Sequence, residues 1–375
     1  MKSYTLANCS LRIAPPVEVG RAGGHFWFST LHAIEEQEIL CEVILTADKA
    51  QGKWPSVLYL SRDGGASWSK ACDIDSYGPI SVPFGHRQRL LMPYELWPLT
   101  PGDKRNATAD GTIITCHEDG RVATETVKVT YLNFPRDIEE YNVDELYLLT
   151  NGNILPLRDG RRFATVYGKF VGDESYSTIA VVSEDGGVTW RFLSIVAGEN
   201  GISKGREGAN ESNTVRLPDG RLMCVYRVGG RNDYFKSYSA DDGATWTKPE
   251  RMEGVWSVEP RLERLDNGLI LLSGGRPGLY FWVCADGRGE RWERFNLAEH
   301  HNALVPETAL HYDDRFCQGH EVFQPYQSTS YTGMEVVGPD EVLISYDCLG
   351  NGWGGAPGPW GETDAVWTVR VKAIP

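Results

Sequence analysis

The sequence predicts an all-β chain folded as a six-bladed β-propeller of four-stranded antiparallel blades, and three observations carry that prediction. One eight-residue pattern recurs: Ser61–Trp68, Ser183–Trp190 and Ser239–Trp246 all read S-x-D-x-G-x-[ST]-W, and Ala285–Trp292 is a degenerate fourth copy. The closing tryptophans stand 122, 56 and 46 residues apart, so the longest step holds two units, one of them without the pattern. Finally, 41 glycines, 20 prolines, 12 tryptophans and 17 tyrosines in 375 residues describe many turns, much aromatic surface and few long helices. Four-stranded units repeating every ~40–60 residues are the signature of propeller blades.

The elements follow in chain order. A first strand over Tyr4–Ile13 is expected to pair beside Val366–Val371 in the last blade, so that closure leaves no exposed edge. Six blades are expected at roughly 26–75, 78–130, 144–197, 210–255, 256–297 and 330–372, all within one domain spanning 1–375. The clearest runs through Ser212–Leu217, the turn Pro218-Asp219-Gly220, Arg221–Arg227 and then Phe235–Ser239. In each recurrent box the Asp bonds backbone two residues on, the Gly supplies positive φ, and the Trp is expected to pack against the repeat it came from. The stretch 298–329, with His300, His301, Glu307, His311 and Tyr312, is expected to be a long loop over one face, the kind of segment that carries function.

Charge narrows the function classes. With 37 basic and 51 acidic residues the net charge is −14, which argues against nucleic-acid and membrane-surface partners, since both require a cationic footprint. No apolar run approaches the ~18 residues of a membrane span. The N-terminal residues show no secretory signal, so a cytoplasmic location is expected. The eight cysteines are dispersed, without a C-x-x-C pair or clustered histidines, and are expected to be buried thiols rather than zinc ligands.

With these boxes on six four-stranded units, nearly the whole chain resembles the sialidase (neuraminidase) superfamily. Three segments carry the resemblance further. Asn210-Glu211-Ser212, followed by the Leu-Pro-Asp-Gly turn and Tyr226-Arg227, is similar to the segment that bears the family's catalytic Glu and an arginine of its carboxylate clamp. Equal strands around a hairpin bring Glu211 and Arg227 to one edge; an ion pair at strand ends is the rival reading. Ser328–Asp340 is similar to the last-blade segment in which sialidases place a catalytic tyrosine, which implies that Tyr331 is the nucleophile. A neutral phenol, deprotonated by Glu211, avoids the repulsion that a carboxylate nucleophile would meet at an anomeric carbon bearing a carboxylate. Ser273–Gly278 places Arg276 where the family carries another clamp arginine, with small neighbours leaving room for a ligand; a buried structural arginine is its rival reading.

The departure lies in the first blade. Sialidases carry a clamp arginine in a Phe-Arg-Ile-Pro motif there, and His25-Phe26-Trp27 stands in its place. Arg12-Ile13-Ala14-Pro15 has a similar sequence but belongs to the closing strand. Trp27 is expected to offer a stackable surface, with His25 and His301 as further substrate contacts beside Arg227 and Arg276. Downstream, Leu45–Gly52 occupies the place of the family's acid/base loop, which implies that role for Asp48. Trp54, Trp97, Trp353 and Trp360 sit in loop-like settings where a ring could stack on a sugar. The resemblance therefore implies an exo-acting glycoside hydrolase, retaining and without cofactor or metal, that releases a terminal acidic sugar from a glycan. A polysaccharide lyase or uronic-acid-directed hydrolase on the same propeller, and a non-catalytic glycan-binding propeller, are the alternatives.

Overall fold

The computed structural model describes all residues except 50–51, 141–145, 199–206, 230–232, 321–328, 351, 355–360 and 362–363. Strands dominate it, and no described helix is long and apolar enough to cross a membrane. The chain divides into two compact units. One comprises Met1–Lys49, Lys53–Asp75 and Arg261–Pro375; the other comprises Ala50–Gly52 and Ser76–Pro260.

The first unit holds three sheets. Trp27–Glu35, Glu38–Ile44, Ser56–Ser61 and Ser69–Ile74 pair antiparallel in chain order. So do Arg261–Arg264, Ile270–Gly274, Tyr280–Cys284 and Trp292–Asn296. The third joins Thr332–Gly338, Glu341–Leu349 and Asp364–Ile374. The N-terminal segment adds to this last sheet, though as a hairpin of Lys2–Thr5 and Ser10–Ile13 rather than a single strand. Ser10–Ile13 pairs with Val371–Ile374, placing Arg12 opposite Lys372, and Val17–Ala22 pairs with Asp364–Thr368.

The second unit holds Asn210–Arg216, Leu222–Arg227, Asp233–Ser239 and Glu250–Trp256 as one four-stranded sheet. Two further four-strand runs, within Ile80–Leu132 and Leu148–Ala197, are expected as separate sheets. They form one ten-stranded sheet instead, because Thr130–Leu132 pairs in parallel with Thr189–Arg191 and the extra strand Glu95–Pro98 bridges them. Pairing among the described residues thus gives five sheets.

Local chemistry explains the repeats. The same turn closes four hairpins: Leu217 N–H bonds Arg221 O at 2.8 Å, and His117, Leu157 and Leu265 bond their counterparts at 2.8 to 2.9 Å. Gly220 takes φ 89° in that turn, where a side chain would be strained. In the recurrent boxes Asp185 Oδ1 accepts from Ser183 Oγ and from the Thr189 N–H, each at 2.8 Å. At Asp241, bonds from Thr245 are the largest influence and hold the carboxyl below its ordinary range. The tryptophans bond within their own boxes, Trp190 Nε1 to Gly187 O at 2.8 Å and Trp246 Nε1 to Gly243 O at 3.1 Å, and also reach the preceding run of strands. Trp68 Nε1 donates to Thr368 Oγ1 at 3.0 Å, Trp246 Nε1 to Ser194 Oγ at 3.1 Å, and Trp190 stacks 6.2 Å from Tyr131. Each indole is large enough to close its own turn and to touch the preceding strands as well.

The boxes join third and fourth strands, which leaves the first strand of each sheet as the opposite edge. The stretch 298–329 is not a long loop throughout: it continues the helix Leu297–Asn302 and includes Asp314–Cys317, and Leu310, Tyr312 and Phe316 are buried core. All cysteines are buried except the half-buried Cys72, and none forms a disulfide.

Candidate active site

In the second unit the first strand of its four-stranded sheet opens on an irregularity. Asn210 pairs with Arg227 and Ser212 with Tyr226, so Glu211 is an extra residue, a bulge. It sits at φ 36°, a region that non-glycine residues enter only when their surroundings compel it. Both carboxylate oxygens are held: Oε1 accepts from Arg227 Nη1 at 2.8 Å and Oε2 from the Glu259 N–H at 3.0 Å. Glu211 is buried, while Glu207, more exposed, lies 3.5 Å from Arg227 Nη2. Arg227, assigned by resemblance to a substrate carboxylate, is therefore committed to carboxylates of its own chain. Glu259 is a second buried carboxylate with positive φ, at 35°. Sequence reasoning passed over it, and Glu-Pro before a short strand was the only signal. Beneath them the Tyr234 hydroxyl donates to Val258 O at 3.0 Å, and burial pushes this phenol well above its ordinary range.

The first unit brings Trp27, Phe28, Arg276, Tyr331 and Trp353 into mutual contact. The strand from Trp27 is also bulged, Trp27 pairing with Ile44 and Thr30 with Glu42, and Phe28 takes φ 48°. The Phe28 ring meets Tyr331 edge-on, with centroids 4.8 Å apart. Arg276 lies with its guanidinium 4.1 Å from the Trp353 ring centre and 5.4 Å from that of Tyr331. Its Nη1 donates to Ser330 O at 3.4 Å. Gly275 permits this approach, because a Cβ there would fall 1.9 Å from the Ser330 oxygen. Arg276, Tyr331 and Trp353 are half-buried.

Two expected contacts need correction. Trp27 is 1 % exposed and offers no surface to a sugar. His25 stacks on it at 4.8 Å, Trp353 meets it edge-on at 4.8 Å, and its Nε1 donates to Thr46 O at 2.8 Å. The indole is an anchor for the loop that carries Asp48. His301 is fully buried, with Nδ1 3.1 Å from the Tyr346 hydroxyl and Nε2 2.9 Å from Leu310 O. Burial lowers it to about 4, so it is a neutral packing residue rather than a substrate contact. His25 remains half-buried over Trp27, and desolvation likewise favours its neutral form. Asp48 is exposed on its loop, Trp54 is buried, Trp97 is half-buried, and Trp360 lies outside the described residues.

A buried carboxylate without a sequence signal completes this corner. Asp347, fully buried on Glu341–Leu349, accepts from Ser330 N at 2.6 Å, Thr329 Oγ1 at 3.0 Å and Phe28 N at 3.1 Å, and also from the Ser330 hydroxyl. No group of three or more His, Cys, Asp or Glu placed to hold a metal ion occurs among the described residues.

Residues 130–260 match the BNR repeat-like domain. No curated protein matches the chain in sequence. Its fold is similar to that of a protein of unknown function from Dyadobacter fermentans DSM 18053, at 17% identity over 99% of this chain and 100% of the other, TM-score 0.65. It is similar to an α-L-arabinanase from Penicillium chrysogenum solved with arabinobiose, at 13% identity over 95% and 98%, TM-score 0.59. It is also similar to a Hadza microbial sialidase, at 12% identity over 96% of this chain and 68% of that one, TM-score 0.56. At these identities the likeness is one of fold, and the fold is that of the sialidase-like β-propellers.

Proposed function

We propose that the chain is a glycoside hydrolase, built as one six-bladed propeller over residues 1–375, that releases a terminal acidic sugar related to sialic acid from a glycan. Tyr331 attacks the anomeric carbon, Glu211 takes the phenol proton, and Asp48 protonates the departing oxygen. Water then cleaves the glycosyl-tyrosine with Asp48 as base. Arg276 faces the substrate carboxylate, while Arg227, the other clamp arginine by resemblance, holds Glu211 instead. The observation that carries the reading is Glu211, a buried carboxylate set by a bulge at positive φ and held at both oxygens. A carboxylate fixed in that way is what proton transfer at a reacting centre requires. Support also comes from the Arg276 guanidinium packed 5.4 Å from the Tyr331 ring centre and from the fold likeness to an arabinanase and a sialidase.

The test is a panel of aryl glycosides of sialic, uronic and neutral sugars, followed by Tyr331→Phe and Glu211→Gln. Each variant should retain folding and lose about 10²-fold or more in kcat on the substrate found. Near-normal turnover by Tyr331→Phe overturns the nucleophile assignment. An unsaturated, ultraviolet-absorbing product signals a lyase, and binding without turnover signals a glycan-binding module.

Glu259 favours a second reading. Its backbone N–H bonds Glu211, and two such carboxylates are the machinery of glycosidases that act on neutral sugars. Under this reading an arabinoside is turned over, Glu259→Gln abolishes activity, and Tyr331→Phe does not.

A further inference from the structure

A carboxylate buried without a cation is costly, so its retention needs a reason in what it holds. Asp347 is surrounded by donors alone. Its Oδ1 takes the Ser330 N–H and the Thr329 hydroxyl, and its Oδ2 takes the Phe28 N–H and the Ser330 hydroxyl. A carboxylate offers about four lone-pair sites and no donor, so these four groups fill it. The four come from two chain segments: Thr329-Ser330 immediately precedes Tyr331, and Phe28 lies more than 300 residues away. The Ser330 hydroxyl also accepts from Phe28 N at 3.2 Å, locking the two segments to each other.

Each segment leads to a candidate group. Ser330 fixes the backbone next to Tyr331, and Phe28 supplies the ring against which the Tyr331 ring rests. Phe28 also fixes Trp27, whose indole holds Thr46 two residues before Asp48. Asp347 is itself held from behind, because the Tyr312 hydroxyl donates to its backbone carbonyl at 2.6 Å. Tyr312 therefore supports Asp347 as scaffold.

We infer that Asp347 is a positioning residue: it sets the Tyr331 segment and the Trp27–Phe28 bulge in one register, and through Trp27 the loop that carries Asp48. This rests on the reading of Tyr331 as the reacting group. Asparagine is the informative replacement, because its amide keeps one acceptor oxygen and presents an N–H₂ to donors that then have no acceptor.

Amide hydrogen exchange on the full chain tests the anchoring without a substrate. Asp347→Asn should raise exchange at least tenfold in peptides covering Phe28 and Ser330, while Asn210–Trp256 changes less than twofold. Unchanged exchange at Phe28 and Ser330 overturns the inference, as does a uniform rise over the whole chain. Should Asp347→Asn fail to fold, Thr329→Val with Ser330→Ala removes both hydroxyl donors and leaves the carboxylate. The same local rise is then required. The second measurement is kinetic. Asp347→Asn should lower kcat at least tenfold with KM within threefold, and adding it to Tyr331→Phe should cost nothing more. Additive losses show that Asp347 does not act through Tyr331. If Tyr331→Phe alone is fully active, the nucleophile reading fails while the exchange result still judges the anchor.

Discussion

Removing the Arg227 cation should destabilise the protein more than removing the whole Arg227–Glu211 pair. The two lie 2.8 Å apart with side chains 16% and 6% exposed, so water screens them little. Taking one partner from a buried pair costs about 3–5 kcal/mol, because the other charge stays desolvated. Arg227 keeps some contact with solvent and Glu211 keeps the Glu259 N–H, which places Arg227→Met at about 3 kcal/mol, the lower end of that range. With an unfolding entropy near 2.1 cal/mol/K per residue, this lowers Tm by about 4 °C if the whole chain unfolds together. The double variant Arg227→Met/Glu211→Gln removes the stranded charge and should recover about 1–2 kcal/mol of the loss. Glu207, more exposed and 3.5 Å away, is the control, and Glu207→Gln should stay within about 0.5 kcal/mol of the parent. Calorimetry and urea unfolding of the four proteins at one pH measure these terms. A double variant no more stable than Arg227→Met would show that Arg227 does not neutralise Glu211.

Two further outcomes follow from the other unit. Gly275→Ala should displace Ser330, since the new Cβ would meet its carbonyl at 1.9 Å, and cost about 1–3 kcal/mol or more; Gly338→Ala, whose Cβ would find ordinary contact at 3.5 Å, should cost little, and thermal unfolding compares them. Stability should also depend on Asp347 between about pH 4 and pH 6. Burial outweighs the hydrogen bonds and raises this carboxyl from 3.8 to about 6, so the fold favours the protonated form. That contribution is complete below about pH 4 and lost as pH rises through 6, an order-of-magnitude 3 kcal/mol from a shift of about two units. Neighbouring Tyr312 and Cys348 are pushed upward by burial and do not titrate there. The stability difference between the parent and Asp347→Asn, followed by urea unfolding from pH 4 to 7, should shrink accordingly; a pH-independent difference refutes the assignment.

The sequence by itself determined whatever is settled between near neighbours. Turn chemistry at Pro218-Asp219-Gly220 and the recurrent Asp, Gly and Trp residues act within a few residues, so strand runs and hairpins were legible in the chain alone. The meeting of Glu211 with Arg227 was legible too, because a tight turn between equal strands brings their outer ends together. Tertiary structure alone decided the rest. The bulges at Glu211 and Trp27–Phe28 shift the alternation of inward and outward side chains, so no reading of period two could tell that Trp27 is buried. His301 looked like a loop residue, yet its helix packs into the core, where burial keeps its ring neutral. Asp347 had no local signature at all. Its four donors come from Phe28 and from Thr329-Ser330, and only the folded sheet brings Phe28 to a carboxylate 319 residues away in sequence.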